Sequence, residues 1–550
     1  MSLTTKLVSK MLGLPPAGTP KLEYQIDLKI PMSDGVVLFA NRVAPIGGES
    51  LPIILIRDPY TFRGKKPDIM ARLIAERGYQ VVVQNCRGRW GSGGEFEPFQ
   101  NEREDGLATL SWLSEQPWFS GSVGMFGLSY WGYVQLALGA GAPDFLKALA
   151  PQMSASRVYG VFRAQGSLSF FCLLTWLYQT YVVNAQETPK DAKRARKQQK
   201  SALQKGFSHL PIREADKAAL NLTIPFFQDV IRNDNPTDAF WAGMDHTKLV
   251  KDIAAPVHFI EGWYDFFLAD QFADYEALRN AGKDPYLTIG PWTHAAAPGF
   301  KAGLKESLLW YDVHLRGNKA ALRFLPVRIY IMGINKWADF PSWPPPATET
   351  PWYLGAGDKL TQEPPEIESK PSRYRYDPAN PTPSIGGTMI SGGGPKNNRK
   401  LEARNDVLTF TSQPMQKNMT IIGIVSVVLY VRSTNEHTDF FARLCDVSPN
   451  GKKSTNICDG IVRLTPDSKQ ADKEGIQRIT IDLLSTAHCF KNGHRIRLQV
   501  SSGAHPMFAR NLGTEEPIAT GTRMQSADQE VFHDMMHFST IMLPVAPTPK

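Results

Sequence analysis

Three residues of this 550-residue chain have the types and the chain order that activate a hydroxyl as a nucleophile: Ser129, Asp265 and His294. Ser129 lies in Gly127-Leu128-Ser129-Tyr130-Trp131-Gly132, directly after the apolar run SVGMFG and directly before the helix-forming run YWGYVQLALGAG. A strand, a tight glycine-framed turn and a helix form the setting in which a serine Oγ stands clear of a sheet. The helix N-terminus behind the serine offers free N–H groups and the positive end of a dipole, which suit a developing oxyanion. The string itself is G-x-S-x-x-G, with Trp131 where a nucleophile elbow usually has its second glycine. Taken alone it also fits an ordinary strand-to-helix turn.

A serine needs a base, and the base needs a carboxylate to orient it. In open α/β sheets of this kind the chain order is serine, acid, histidine. Here the apolar run Pro256–Glu261 leads into Gly262-Trp263-Tyr264-Asp265, and Pro285–Gly290 leads into Pro291-Trp292-Thr293-His294. Each candidate stands just past the C-terminal end of a predicted strand, where sites in such sheets form. Alone, Asp265 would read as a helix N-cap and His294 as a loop histidine; together, in order and in place, they read as the acid and base. Glu261 and Asp270 compete for the acid's part, and His246, His258 and His314 for the base's. His258 falls inside a strand and His314 on a helix, so both are expected to be structural.

The elements that must position these residues follow from periodicity. Pro52–Arg57, Gln80–Asn85, Ser122–Gly127 and Lys147–Pro151 are continuous apolar runs bounded by Gly, Pro or charge, as expected of strands buried on both faces. Asp68–Arg77 and Glu102–Glu115 between them have helical spacing. This alternation predicts a mostly parallel sheet with helices on both faces. From about 154 to 250 strands of that type stop, and helix formers and aromatics such as Phe170, Trp176, Tyr181 and Phe226 take over; a helical insertion over the sheet is expected. After the proline-rich Pro341–Pro351, Val407–Thr411, Ile421–Arg432, Ile476–Leu483 and Arg495–Ser501 alternate or run β-branched, which predicts an all-β sandwich or jelly roll. The expected division is 1–152 with 245–350 as an α/β domain, 153–244 as a helical cap and 351–550 as the β-sandwich.

Composition excludes several other classes. A net charge of +8 over this length is too diffuse for nucleic-acid binding. The densest basic stretch, Lys190–Lys200, reads as a solvated helix face. Cys86, Cys172, Cys445, Cys458 and Cys489 are odd in number and contain no CxxC, so neither a zinc site nor a disulfide framework is indicated, although one bridge such as Cys445–Cys458 stays open. The N-terminus has no apolar core long enough for a signal peptide, and the apolar stretch Phe170–Tyr178 is too short to span a bilayer. A cytoplasmic protein with no membrane partner is expected, and a homo-oligomer stays open. Arg87–Gly94, RGRWGSGG, fits neither a dinucleotide fingerprint nor a P-loop and reads as a tight loop.

Ser129 in GMFGLSYWG, Asp265 in EGWYDFF and His294 in GPWTH resemble the cocaine-esterase and X-Pro dipeptidyl-peptidase family of α/β-hydrolases. So do SDGVVLFANRVAP (Ser33–Pro45), IRDPY (Ile56–Tyr60), CRGRWGSGGEF (Cys86–Phe96) and SSGAHPMFARN (Ser501–Asn511). The resemblance covers almost the whole chain and implies an α/β-hydrolase domain, an inserted helical cap and a C-terminal jelly roll. It also implies an oxyanion hole made by the Tyr60 hydroxyl and the backbone N–H of Tyr130, and no metal or cofactor. Two departures stand out. Asn85-Cys86 precede Arg87, where the family often has Asp then Val or Thr. Where relatives that hydrolyse α-amino-acid esters place acidic residues, this chain has Phe266 and Phe267. That change favours an apolar acyl pocket, with Phe267, Phe266, Trp176 and Tyr159 as candidate walls. The resemblance thus implies a serine hydrolase for small or aromatic carboxylic esters, or amides. An X-Pro dipeptidyl-peptidase and a non-catalytic binding protein on the same fold are the alternatives.

Overall fold

The apolar runs assemble into a single mixed sheet. The structure, a computed structural model, describes residues 3–18, 21–60, 69–468 and 471–548. Its first strands are β1 (Leu22–Pro31), β2 (Val37–Pro45), β3 (Ile53–Asp58), β4 (Gln80–Asn85), β5 (Val123–Leu128) and β6 (Leu146–Gln152). They are followed by β7 (Arg163–Ala164), β8 (Ser167–Leu168), β9 (His258–Tyr264), β10 (Tyr286–Thr293), β11 (Val327–Ile331) and β12 (Lys336–Phe340). Ten of them form one sheet in the order β1-β2-β4-β3-β5-β6-β9-β10-β11-β12. Every pairing from β4 across to β11 is parallel. β3 and β9 are buried at every position, because helices cover both faces of a parallel sheet. Antiparallel pairings close both edges, β1 and β2 on one side and β12 on the other. The edge strands β1 and β12 escape a search for continuous apolar runs, since they are half solvated and alternate with charge.

The strand expected at Pro256–Glu261 runs instead to Tyr264, and that expected at Pro285–Gly290 runs to Thr293. Each therefore delivers its chain end directly to Asp265 and His294. The helix expected at Asp68–Arg77 is seen at Ile69–Ala75, with Asp68 outside the described residues. Strand order reverses direction between β3 and β5. A crevice opens at the carboxyl ends of strands at such a switch point. Tyr60 follows β3 and Ser129 follows β5, so both stand at its mouth.

Between β6 and β9 the chain is helical, apart from the two-residue hairpin β7–β8. The helix Phe170–Tyr178 continues into a π-helical turn at Gln179–Val183. Lys190, Lys193, Arg194, Arg196, Lys197 and Lys200 lie exposed on the helix Pro189–Ser208, which Thr188 caps by accepting the Asp191 N–H.

An eleven-stranded second sheet occupies Thr348 to Ala546 and forms the jelly roll of an α/β-hydrolase with a C-terminal β domain. Its longest pairing joins Met419–Ser433 to Gln477–Phe490. The strand Thr438–Val447 is buried at every position and pairs with Ser454–Leu464 and Arg495–Ser501. This sheet touches both other regions. Met332 after β11 exchanges backbone hydrogen bonds with Ala487 and Cys489, Tyr264 donates its hydroxyl to the Asn456 carbonyl at 3.1 Å, and Ala509 N–H reaches the Leu168 carbonyl of β8. All five cysteines are buried and free, Cys445 and Cys458 included. Among the described residues no helix is long and apolar enough to cross a membrane.

Candidate active site

The turn after β5 forces Ser129 into φ +60°, ψ −123°, a region that a side chain enters only when its surroundings fix it. The surroundings are tight. A Cβ on Gly127 would collide with the Trp131 side chain, and one on Gly132 would collide with Ser154. Small residues at these positions let strand and helix close on the serine. Ser129 N–H donates to the Gln152 carbonyl at the end of β6 (2.8 Å), and the Ser129 carbonyl accepts from Gly132 and Tyr133. Tyr130 N–H is the first of the helix Tyr130–Gly139, so no preceding helical turn offers it a carbonyl.

Asp265 and His294, each one residue beyond its strand, meet Ser129. His294 Nδ1 is 2.7 Å from Asp265 Oδ2, and His294 Nε2 is 3.1 Å from Ser129 Oγ. Asp265 is fully buried, and its other oxygen accepts the Phe267 N–H at 2.9 Å. The carboxylate thus faces a backbone donor and an imidazole donor. The imidazole is held in the tautomer that presents an unprotonated Nε2 to the serine. Such a chain can take up the serine proton as Oγ forms a bond.

The competing groups are engaged elsewhere. Asp270 pairs with Arg157 at 2.6 Å. His246 Nε2 is 3.0 Å from the Tyr133 hydroxyl, His258 Nε2 is 2.9 Å from Thr288 Oγ1, and His314 packs on Trp310. Glu261 sits inside β9, fully buried, with Oε1 accepting only the Gly262 N–H. Burial, together with the nearby Asp265 charge, pushes its carboxyl well above the usual range, so it holds its proton.

The chain after β3 turns on Asp58. One oxygen of Asp58 accepts both the Tyr60 N–H (2.7 Å) and the Trp131 indole N–H (2.9 Å). Asp58 therefore ties the Tyr60 turn to the helix that follows the serine. The Tyr60 ring lies edge-on to Tyr130 and tilted to Trp131, with centroids 6.1 and 6.4 Å away. The Tyr60 hydroxyl accepts the Trp176 indole N–H at 3.0 Å. Burial pushes the Tyr60 phenol up, so it keeps its proton. Beneath, the Tyr130 hydroxyl donates to Glu102 at 2.7 Å and accepts the Phe99 N–H, while Glu102 is paired with the fully buried Arg57 at 2.7 Å. Cys86, one of the departures from the family pattern, packs 3.8 Å from Glu102, and burial raises its thiol far above the reactive range. Asp58, Arg57 and Glu102 were absent from the sequence-derived set. Their one signal is Arg57-Asp58, charges at the end of an otherwise apolar strand.

The candidate pocket residues separate into two groups. Phe266 packs tilted against the His294 ring, centroids 4.4 Å apart, and, with Tyr159, lines a cavity of about 400 Å³ between the helical insertion, the segment that follows β9 and the jelly roll. Phe171, Met389, Met507 and Phe508 supply much of its apolar wall, and its charged lining comprises the paired Arg157 and Asp270 together with Arg163, Asp459 and Asp482. Met507 and Phe508 come from the late SSGAHPMFARN stretch. Phe267 is buried with its ring 5.9 Å from His294, and Trp176 is buried in a stack on Phe99; neither borders that cavity. Among the described residues no group of three His, Cys, Asp or Glu side chains is disposed to hold a metal ion.

Residues 34–296 match the X-Pro dipeptidyl-peptidase (S15) family, and residues 323–537 match the X-Pro dipeptidyl-peptidase C-terminal non-catalytic domain. The chain is 32% identical to a cocaine esterase of Rhodococcus sp. (strain MB1 Bresler), over 94% of this chain and 98% of that protein. Among solved structures, an aminopeptidase from a marine-sediment Thaumarchaeota archaeon superposes with a TM-score of 0.82 at 22% identity, covering 97% of this chain and 99% of that one. An α-amino acid ester hydrolase superposes with a TM-score of 0.80 at 23% identity, covering 97% and 98%. These two likenesses concern the fold.

Proposed function

The chain belongs to the cocaine-esterase and X-Pro dipeptidyl-peptidase family of serine hydrolases, and on that premise we propose that it cleaves carboxylic esters through an acyl-enzyme on Ser129. The observation that carries this reading is the hydrogen-bonded line from Asp265 through His294 to Ser129, at 2.7 and 3.1 Å. Ser129 Oγ attacks the ester carbonyl carbon as His294 Nε2 takes its proton. Asp265 steadies the imidazolium. The carbonyl oxygen, now negative, is met by the Tyr60 hydroxyl and the Tyr130 N–H, donors worth more to the transition state than to the substrate. The intermediate collapses, and the alcohol leaves with the proton from His294. Water then attacks the acyl carbon, its proton passes to His294, and Ser129 is regenerated as the acid departs.

The Phe266 ring beside His294, and the largely apolar cavity that Phe266 shares with Tyr159, support small or aromatic acyl groups. An X-Pro dipeptidyl-peptidase needs an anionic anchor for a peptide N-terminus. Of the three carboxylates that line the cavity, Asp270 is neutralised by Arg157 and Asp459 by Arg443, which leaves Asp482 as the one group to which such an anchor would fall. The proposed division of labour gives catalysis to 1–152 with 245–350, cover to 153–244 and a non-catalytic wall to 351–550. The five unpaired cysteines support the cytoplasmic location expected above. A panel of p-nitrophenyl esters set against Gly-Pro-anilide tests the substrate class; faster cleavage of the anilide than of every ester would reverse it. A fluorophosphonate probe should label the wild-type chain and not Ser129→Ala, whereas an unlabelled wild type would favour a binding protein on this fold.

A further inference from the structure

We propose that Trp176 is a positioning residue for the oxyanion hole: its indole N–H, donated to the Tyr60 hydroxyl, aims the Tyr60 proton at the reacting carbonyl oxygen. This rests on the reading of Tyr60 as an oxyanion donor. A phenol has one hydrogen and two lone pairs, whereas an indole nitrogen can only donate. At 3.0 Å the direction of the Trp176–Tyr60 bond is therefore fixed: Tyr60 accepts, and its own hydrogen must point elsewhere. The Tyr60 ring leans on Tyr130 and Trp131, the two residues after Ser129, so the ring lies beside the nucleophile turn. A hydroxyl that accepts one hydrogen bond also becomes a stronger donor in the next.

Trp176 is itself fixed. Its ring stacks on Phe99 at 5.5 Å, and Phe99 stacks on Tyr130 at 4.4 Å, so a continuous aromatic pile runs from the nucleophile helix to the helical insertion. A second strut runs alongside. Arg89, from the glycine-rich RGRW loop, donates to the Pro59 carbonyl at 2.7 Å and to the Thr180 carbonyl at 3.4 Å. Thr180 lies in the π-helical turn that follows Trp176, a kind of irregularity that recurs at functional sites. Arg89 therefore binds the backbone just before Tyr60 to the element that carries Trp176. The loop that matched no phosphate motif has a local task, and the oxyanion hole is completed only when the insertion is docked.

The test is a double-mutant cycle on an activated aryl ester with Trp176→Phe and Tyr60→Phe. Trp176→Phe keeps a ring on Phe99 and deletes the N–H. It should lower kcat about tenfold with KM within about twofold, the size of one hydrogen bond acting in the transition state. In the Tyr60→Phe background the same change should cost nothing further. Losses that multiply in the double variant, or a wild-type kcat for Trp176→Phe, would overturn the inference. A wild-type kcat for Tyr60→Phe would instead sink the oxyanion reading itself. A benzothiophene isostere of tryptophan at position 176, which replaces the N–H by sulfur without changing the shape, should reproduce the kcat loss. A wild-type rate with that isostere would overturn the inference even if Trp176→Phe were poorly folded.

Discussion

The two halves of the site are built by different means. Ser129, Asp265 and His294 each stand one residue beyond a strand of the parallel sheet, and their mutual distances follow from strand spacing. Tyr60, Phe266 and Tyr159 are instead held by side chains and loops that meet the helical insertion and the jelly roll. The first half inherits its accuracy from backbone hydrogen bonds. The second depends on how three regions dock. On the proposed function, chemistry is fixed by the sheet and selectivity by the seams.

The largest way to break this contrast is inside the first half. Asp265→Asn keeps the shape but presents a donor where His294 Nδ1 must donate, and kcat should fall about 10⁴-fold with KM little changed. A loss below about tenfold in steady-state kinetics would remove Asp265 from the role. In the second half the effect should move to KM. Phe266→Ala strips an apolar face from the cavity beside His294, and KM for benzoate esters should rise about tenfold against acetate esters. An equal change for both acyl groups would mean that the cavity does not hold the acyl group.

A third variant probes the seam. Asp274, buried on the helix that starts after Phe267, accepts from Ser156 N and Oγ at 2.7 and 2.6 Å, and burial lifts its carboxyl to about 7. The unfolded chain releases that proton near pH 4, so the folded state binds more protons between about 4 and 7. Stability from this group is full below about pH 4 and is lost as pH rises through about 7. Asp274→Asn should therefore lose less Tm than the wild type between pH 5 and 8, and identical slopes would refute the assignment. The smallest effect sharpens the rule of position. Glu261→Gln, on the strand that ends one residue before Asp265, should leave kcat within about twofold, since a neutral acid is exchanged for a neutral amide. A hundredfold loss would make Glu261 part of the proton path.

What was legible in the sequence follows the same division. Ser129, Asp265 and His294 could be read because strand periodicity, chain order and strand ends together fix where they fall. Tyr60 came only through the family resemblance. The Trp176–Tyr60 bond spans 116 positions and the Trp131–Asp58 bond spans 73, and nothing in local pattern announces either. The edge strands β1 and β12 were missed because a half-solvated strand alternates with charge, and β2, inside the sheet, because Asn41 and Arg42 interrupt its apolar run. In the jelly roll Thr438–Val447 was missed for another reason. It carries Asp439, Arg443 and Asp446 in a fully buried strand, where Arg443 is matched by Asp459 at 2.9 Å and Asp439 by Arg463 at 2.8 Å. Such pairs look like surface until their partners are known.

That buried strand bears on how far the molecule can be taken apart. Cutting the chain after β12 would remove Met507 and Phe508 from the cavity and the Asn456 carbonyl from Tyr264, and would uncover faces that have never met solvent. The jelly roll is not a detachable module. Exchanging it between relatives would amount to redesigning an interior, and chimeras should be joined along cavity walls rather than at the proline-rich junction.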